Sequence, residues 1–187
     1  MIVSSIVMEE LVMAKFLFVR HGEPDYPSVG DWSGIAMCNN FAGLTEAGIG
    51  QIKKSCEELK KHKVDLIISS PFTRTLQGAT IMARELNAEV VVEHNLHEWQ
   101  ADLTYSITDE EELASYSREY YELDGKYPEG ETRLWETKEM VRKRVLECLE
   151  KYRDYECVVV SGHGMMTQAV VGEPIPVEYG QVVEIEI

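Results

Sequence analysis

Four short runs dominated by apolar residues recur along the chain, each closed by polar or turn residues and separated from the next by a stretch with helical periodicity: "KFLFVR" from Lys15, "VDLIISS" from Val64, "AEVVVE" from Ala88 and "ECVVVSG" from Glu156. Runs of this length with apolar residues at successive positions suit strands buried on both faces, as in a parallel sheet covered by helices. Between them lie helical patterns over 46–61, from an N-cap at Thr45, and from Ser70-Pro71 to about Leu86, with Ser70 as N-cap and proline at the first helical position. A third covers 132–152, with Leu134, Met140, Val141, Val145 and Leu149 at helical spacing, and a short one covers 165–171. The final "QVVEIEI" alternates apolar and acidic residues, the pattern of an edge strand with one wet face. Repeated strand-helix units predict an α/β chain with a mostly parallel sheet.

The 187 residues suit one domain over 1–187, with 1–12 as an extension ahead of the first strand. From 94 to about 130 acids, tyrosines and turn residues replace the sheet pattern, with an amphipathic helix in "TDEEELASYSREYYEL"; this predicts a cap inserted into the domain. Tyr116, Tyr120 and Tyr121 in it are read as packing residues.

With 33 acidic and 18 basic residues the formal charge is −15, which repels nucleic acid and anionic membranes and leaves any anion site dependent on individual arginines. Cys38, Cys56, Cys148 and Cys157 show no CxxC spacing and read as free thiols of a cytoplasmic protein. The first residues lack a basic region and are broken by Glu9-Glu10, unlike a signal or a span.

Three strands end in reactive residues: Arg20-His21-Gly22, Ser69-Ser70 followed by Arg74, and Gly162-His163-Gly164. Ligands of open α/β sheets collect beyond the carboxyl ends of strands. Two histidines beside glycines that admit a ligand to the backbone, with two arginines suited to bidentate phosphate contacts, describe a phosphoryl pocket. Hydrolysis of phosphate monoesters asks for up to ~10²¹-fold acceleration, whereas positioning supplies roughly 7–11 kcal/mol, so a covalent step through a neutral imidazole fits the residues. A separate carboxylic acid must protonate the leaving oxygen. No cysteine is followed six positions later by arginine, which sets aside cysteine-phosphatase chemistry. His94 and His97 lack a third ligand at metal-site spacing.

"RHGEP", "LTEAGIGQ", "SSPFTRTLQGA", "LHEW" and "SGHG", in that order between 20 and 164, resemble the histidine phosphatase superfamily, also called phosphoglycerate mutase-like. The resemblance implies a three-layer α/β sandwich, its central sheet mostly parallel with one antiparallel edge strand, which "QVVEIEI" would supply. It implies a phosphatase free of metal and cofactor, with His21 as the phosphorylated nucleophile, Arg20 and Arg74 as phosphate ligands, His163 as second histidine and Glu98 as proton donor. Asp102 and Glu93 are alternative donors. Many members carry asparagine six residues after the nucleophile, where this chain has Pro27; either Asn39 or Asn40 substitutes or that contact is absent. The expected partner is a small phosphorylated substrate, the expected assembly monomer or homodimer, and Arg118 and Arg133 are candidates for the pocket rim. The alternatives are phosphoglycerate mutase-type transfer, disfavoured by the short cap, and a phospho-ligand binding module without catalysis.

Overall fold

The structure, a computed structural model, describes residues 14–29, 36–173 and 175–186. The expected extension over 1–12, and Gly30 and Gly34 of the loop after the first strand, lie outside the described residues.

Five strands form one sheet: β1 (Lys15–Arg20), β2 (Leu66–Ser69), β3 (Glu89–Val92), β4 (Cys157–Gly162) and β5 (Val182–Glu186), in the spatial order β3-β2-β4-β1-β5. All pairings are parallel except β1 with β5. The helices are α1 (Glu46–Leu59), α2 (Thr73–Leu86), α3 (Glu110–Glu122), α4 (Lys138–Leu149) and α5 (Gly164–Val171). From β1 through β2 to β3 the chain moves across the sheet in one direction, and from β3 through β4 to β5 it returns. Because parallel crossovers share one hand, the reversal of direction sends the two sets of helices to opposite faces.

The strands show the division residue by residue. Leu17, Val19, Ile67 and Val159 enter one core with Ile52, Cys56 and Leu59 of α1 and Met82 of α2. Phe16, Phe18, Ile68, Val158 and Val160 enter the other with Val141, Val145 and Leu149 of α4 and Met166 and Ala169 of α5. The result is the expected three-layer sandwich, with β5 as its antiparallel edge strand. Every residue of β2 and β4 is buried. Edge strand β3 leaves all four of its residues exposed, despite its valines.

The excursion between β3 and α4 holds α3 and returns against the second core through an aromatic cluster. Trp99 and Tyr120 ring centroids lie 5.1 Å apart, and Tyr127 and Trp135 4.9 Å apart. Tyr120 is buried there, as expected of a packing residue.

Two helix starts differ from expectation. Helix α2 begins at Thr73 with Phe72 as its N-cap; the Ser70 hydroxyl, the expected cap, bonds His163 Nε2 at 2.7 Å and accepts only a long bond from Phe72 N at 3.4 Å. Helix α4 begins at Lys138 rather than 132: Trp135 is drawn wholly into the aromatic cluster, and Thr137 caps the helix by accepting from Met140 N. Leu134 and Met140, expected in the core, are therefore exposed. Among the described residues no helix is long and apolar enough to cross a membrane.

Candidate active site

The sheet register assembles the site. Arg20 of β1 lies opposite Gly162 of β4, and Ser69 of β2 opposite Ser161. The next residue on each strand is thus His21, His163 and Ser70, side by side at one edge, with His21 N donating to Gly162 O and Ser70 N to Ser161 O, both at 3.0 Å. The rings of His21 and His163 meet edge-on with centroids 5.2 Å apart. Strand β5 runs the other way, so its entry turn reaches the same edge: Gly180 N donates to Arg20 O, and the Tyr179 ring lies 4.2 Å from the Arg20 guanidinium.

Hydrogen bonds assign the tautomers. His21 Nδ1 lies 2.7 Å from the carbonyl of Gly22; a carbonyl only accepts, so Nδ1 carries the proton and Nε2 keeps its lone pair. Burial, then Arg74 and to a smaller extent Arg20, push the His21 pKa down to about 3 against the opposing pull of the Gly22 carbonyl. His163 is fully enclosed, and burial followed by the Arg74 charge holds it well below the usual histidine value. Its Nδ1 faces an Arg74 nitrogen at 3.5 Å, so its proton sits on Nε2, donated to Ser70 Oγ.

Arg74 is buried and Arg20 half-buried, and among the described residues neither has a carboxylate partner. Arg20 donates to the carbonyl of Val177 and Arg74 to that of Asn39, while the buried Nε of each is without a partner. Two such guanidiniums beside two uncharged imidazoles form a concentration of positive charge that an anion would complete.

Glu98 follows β3 at the start of the excursion and lines one cleft with Arg74 and another with Arg20. Its Oε1 accepts from Trp99 N at 2.9 Å and Met166 N at 3.0 Å, and its Oε2 accepts only the long bond from Met165 N at 3.4 Å. Oε2 therefore retains capacity for a further proton or partner. Glu98 borders two clefts. One, of about 150 Å³, is shared with Arg74, Asn40 and cap residues; the other, of about 350 Å³, is shared with Arg20, Tyr121 and Glu178.

The alternative donors are committed elsewhere. Asp102 accepts from the backbone N–H groups of Thr104, Ser106 and Ile107 and from the Thr104 hydroxyl, organising its own loop, and its pKa falls to about 2 as these bonds outweigh burial. Glu93 accepts from Lys151 and the Tyr152 hydroxyl. Arg118 pairs with Glu111, and Arg133 with Glu119 and Glu131; neither lines the clefts beside Glu98. Pro27 is exposed in a short 3-10 turn, while Asn40 reaches the smaller cleft.

The glycines serve a purpose other than the expected one. A Cβ on Gly22 would stand 2.2 Å from Gly48 O, and one on Gly48 2.3 Å from Glu23 O, so this pair lets the loop after β1 press its backbone onto α1. A Cβ on Gly164 would lie 3.2 Å from Arg20 Nε, so Gly164 makes room for that guanidinium. The space beside these glycines is filled by the protein itself.

Sequence reading missed three contributors. Tyr179 covers Arg20, and Phe72 lies edge-on to His163 at 5.3 Å; single aromatics in loops carry no periodic signal. The third is the pair of half-buried Arg144 with buried Glu136. Arg144 bonds both Glu136 oxygens, at 2.8 and 2.9 Å, and also donates to the carbonyls of Asn95, His97 and Glu98. Glu136 in turn accepts from Gln100 N at 2.9 Å. The pair clamps the backbone that carries Glu98.

A doubly covered α/β sheet with a histidine pair and two carboxylate-free arginines at one strand edge defines a class of phosphoryl-handling proteins. The chain belongs to the histidine phosphatase superfamily (branch 1), whose model matches residues 16–186. It is 29% identical over 161 residues to phosphoserine phosphatase 1 of Hydrogenobacter thermophilus, covering 84% of this chain and 74% of that one. It is 26% identical over 129 residues to a probable phosphoglycerate mutase of Proteus mirabilis, covering 64% of this chain and 56% of that one. Among solved structures, a mycobacterial glucosyl-3-phosphoglycerate phosphatase shares the fold with a TM-score of 0.67 at 19% identity, over 91% of this chain and 89% of that one.

Proposed function

We propose that this protein is a phosphomonoesterase that acts through a phosphohistidine on His21. The observation that carries this reading is the pair of guanidiniums, each with an unpartnered buried Nε, beside an imidazole whose Nε2 lone pair is free. Arg20 and Arg74 hold the phosphoryl oxygens of a small phosphorylated substrate. His163, anchored by Ser70, presents its other nitrogen beside Arg74, where an arriving anion favours its protonation and turns it into a further donor. Nε2 of His21 attacks phosphorus in line, forming the P–N bond as the P–O bond to the leaving group breaks, and Glu98 gives that oxygen a proton. Glu98 then takes a proton from water as the water breaks the P–N bond and releases phosphate.

The fixed guanidiniums supply the charge that a metal ion would otherwise bring, so the reaction is metal-independent. A binding module would need the arginines but not a free imidazole lone pair opposite a carboxylate. Four buried cysteines with no disulfide among the described residues suit the reducing cytoplasm.

The protein is expected to hydrolyse p-nitrophenyl phosphate in the presence of a chelator, and His21→Ala to reduce kcat by about 10³-fold or more while leaving the circular dichroism spectrum unchanged. Rapid quenching of the wild type should trap acid-labile, base-stable phosphate that is absent from the variant. Loss of activity on chelation, or full activity in His21→Ala, would overturn the reading.

A further inference from the structure

We propose that the site selects phosphate monoesters whose leaving alcohol is uncharged, and discriminates against those bearing a carboxylate or a second phosphate. This deepens the phosphatase reading and rests on it.

The inference comes from where the positive charges are. All 18 lysines and arginines of the chain lie among the described residues, since 1–13, 30–35, 174 and 187 contain none. Of these, only Arg74 lines the smaller cleft and only Arg20 the larger. Both belong to the phosphoryl pocket and have little to spare for another anion. The remaining arginine closest to the centre in its bonding, Arg144, is spent on Glu136 and three carbonyls behind Glu98. Two further cations, Lys126 and Lys138 at the start of α4, pair with Asp124.

Carboxylates, in contrast, border both clefts. Apart from Glu98, which lines both and carries the donor proton when substrate is bound, Asp102 belongs to the smaller and Glu178 to the larger. A carboxylate on the leaving group would therefore meet like charge with no cation beyond the two engaged by the phosphoryl group, in a protein whose net charge is already −15. The rest of the smaller cleft is suited to a neutral group: Tyr105, Ile107 and Leu113 give an apolar wall, and Asn40 and Gln100 bring amides. Its volume of about 150 Å³ is of the size that accepts a six-membered ring.

The test uses an isosteric pair, 3-carbamoylphenyl phosphate and 3-carboxyphenyl phosphate, which differ in charge and hardly in shape. Wild-type kcat/KM is expected to favour the amide by about tenfold or more. Leu113→Arg, which places a guanidinium on the cleft wall, is expected to narrow or invert that ratio. Binding of both esters to His21→Ala, followed by tryptophan fluorescence, reads the same preference without chemistry. Equal or better binding of the acid by His21→Ala, or an unchanged ratio in Leu113→Arg, would overturn the proposal. If neither ester is turned over but the binding preference stands, the phosphatase reading fails and the neutral-group subsite survives.

Discussion

At the scale of single residues, the acid-base state of His21 has a measurable consequence. Burial and the Arg74 charge hold its pKa at about 3, below the ordinary 6.5, so the ring is uncharged through the physiological range. Between those two values the unfolded chain binds a proton at this position that the folded chain does not. Stability is thus present above the unfolded value and is lost as pH falls from about 6.5 toward 3. The acid limb of kcat/KM attributable to the free enzyme's His21 should accordingly fall below pH 5, and a limb at 6–7 that persists with a substrate of different phosphate ionisation would contradict it. Acid titration of stability by circular dichroism should show a shallower decline in His21→Asn.

Gly48 sets two effects against each other. Alanine in a helix interior is favoured over glycine by about 1 kcal/mol, but here its Cβ would stand 2.3 Å from a backbone oxygen that no rotamer change can move. Overpacking against main chain costs about 1–3 kcal/mol, so the clash outweighs the propensity. Gly48→Ala is expected to lower the urea midpoint and, by shifting the loop at Gly22, to lower kcat; a raised midpoint would show that the loop yields freely.

At the scale of elements, the segment bearing Glu98 is held by α4 rather than by its own secondary structure. Arg144→Met would leave Glu136 buried without its cation, a loss of about 3–5 kcal/mol, and would free three carbonyls that fix residues 95–98. The expected result is a lower thermal midpoint together with a kcat that falls more than KM rises, measured well below that midpoint. Unchanged kcat in a folded variant would separate the clamp from the donor. Helix α4 shows why this element was only partly readable beforehand. Its periodicity does extend back to Leu134, but Trp135 gains more by entering the aromatic cluster than the chain gains from another helical turn, and Thr137 supplies the cap at which the helix begins.

At the scale of the whole molecule, buried strands wrote themselves into the sequence because a strand covered on both faces must be apolar at successive positions. Strands β1, β2 and β4 followed from that rule, the helix α1 from apolar periodicity and its Thr45 cap, and β5 from its alternation of apolar and acidic residues. The residue types at the strand ends were readable for a similar reason, since arginine and histidine directly after an apolar run are out of place unless they serve the strand edge. Glycine was read less well: the need for a missing side chain was evident, but not that Gly48, rather than a ligand, takes the room beside Gly22. Nor did local pattern show that Ser70 serves His163 instead of capping α2, or that Arg144 reaches across to Glu98. Local chemistry therefore specified the layers, the strands and the kinds of groups at the site, because burial and periodicity act on neighbours along the chain. Which side chains meet, which imidazole nitrogen is left free and where positive charge is lacking depend on contacts between residues far apart in sequence, and those exist only once the β1-β4 and β2-β4 registers bring His21, His163 and Ser70 to one edge.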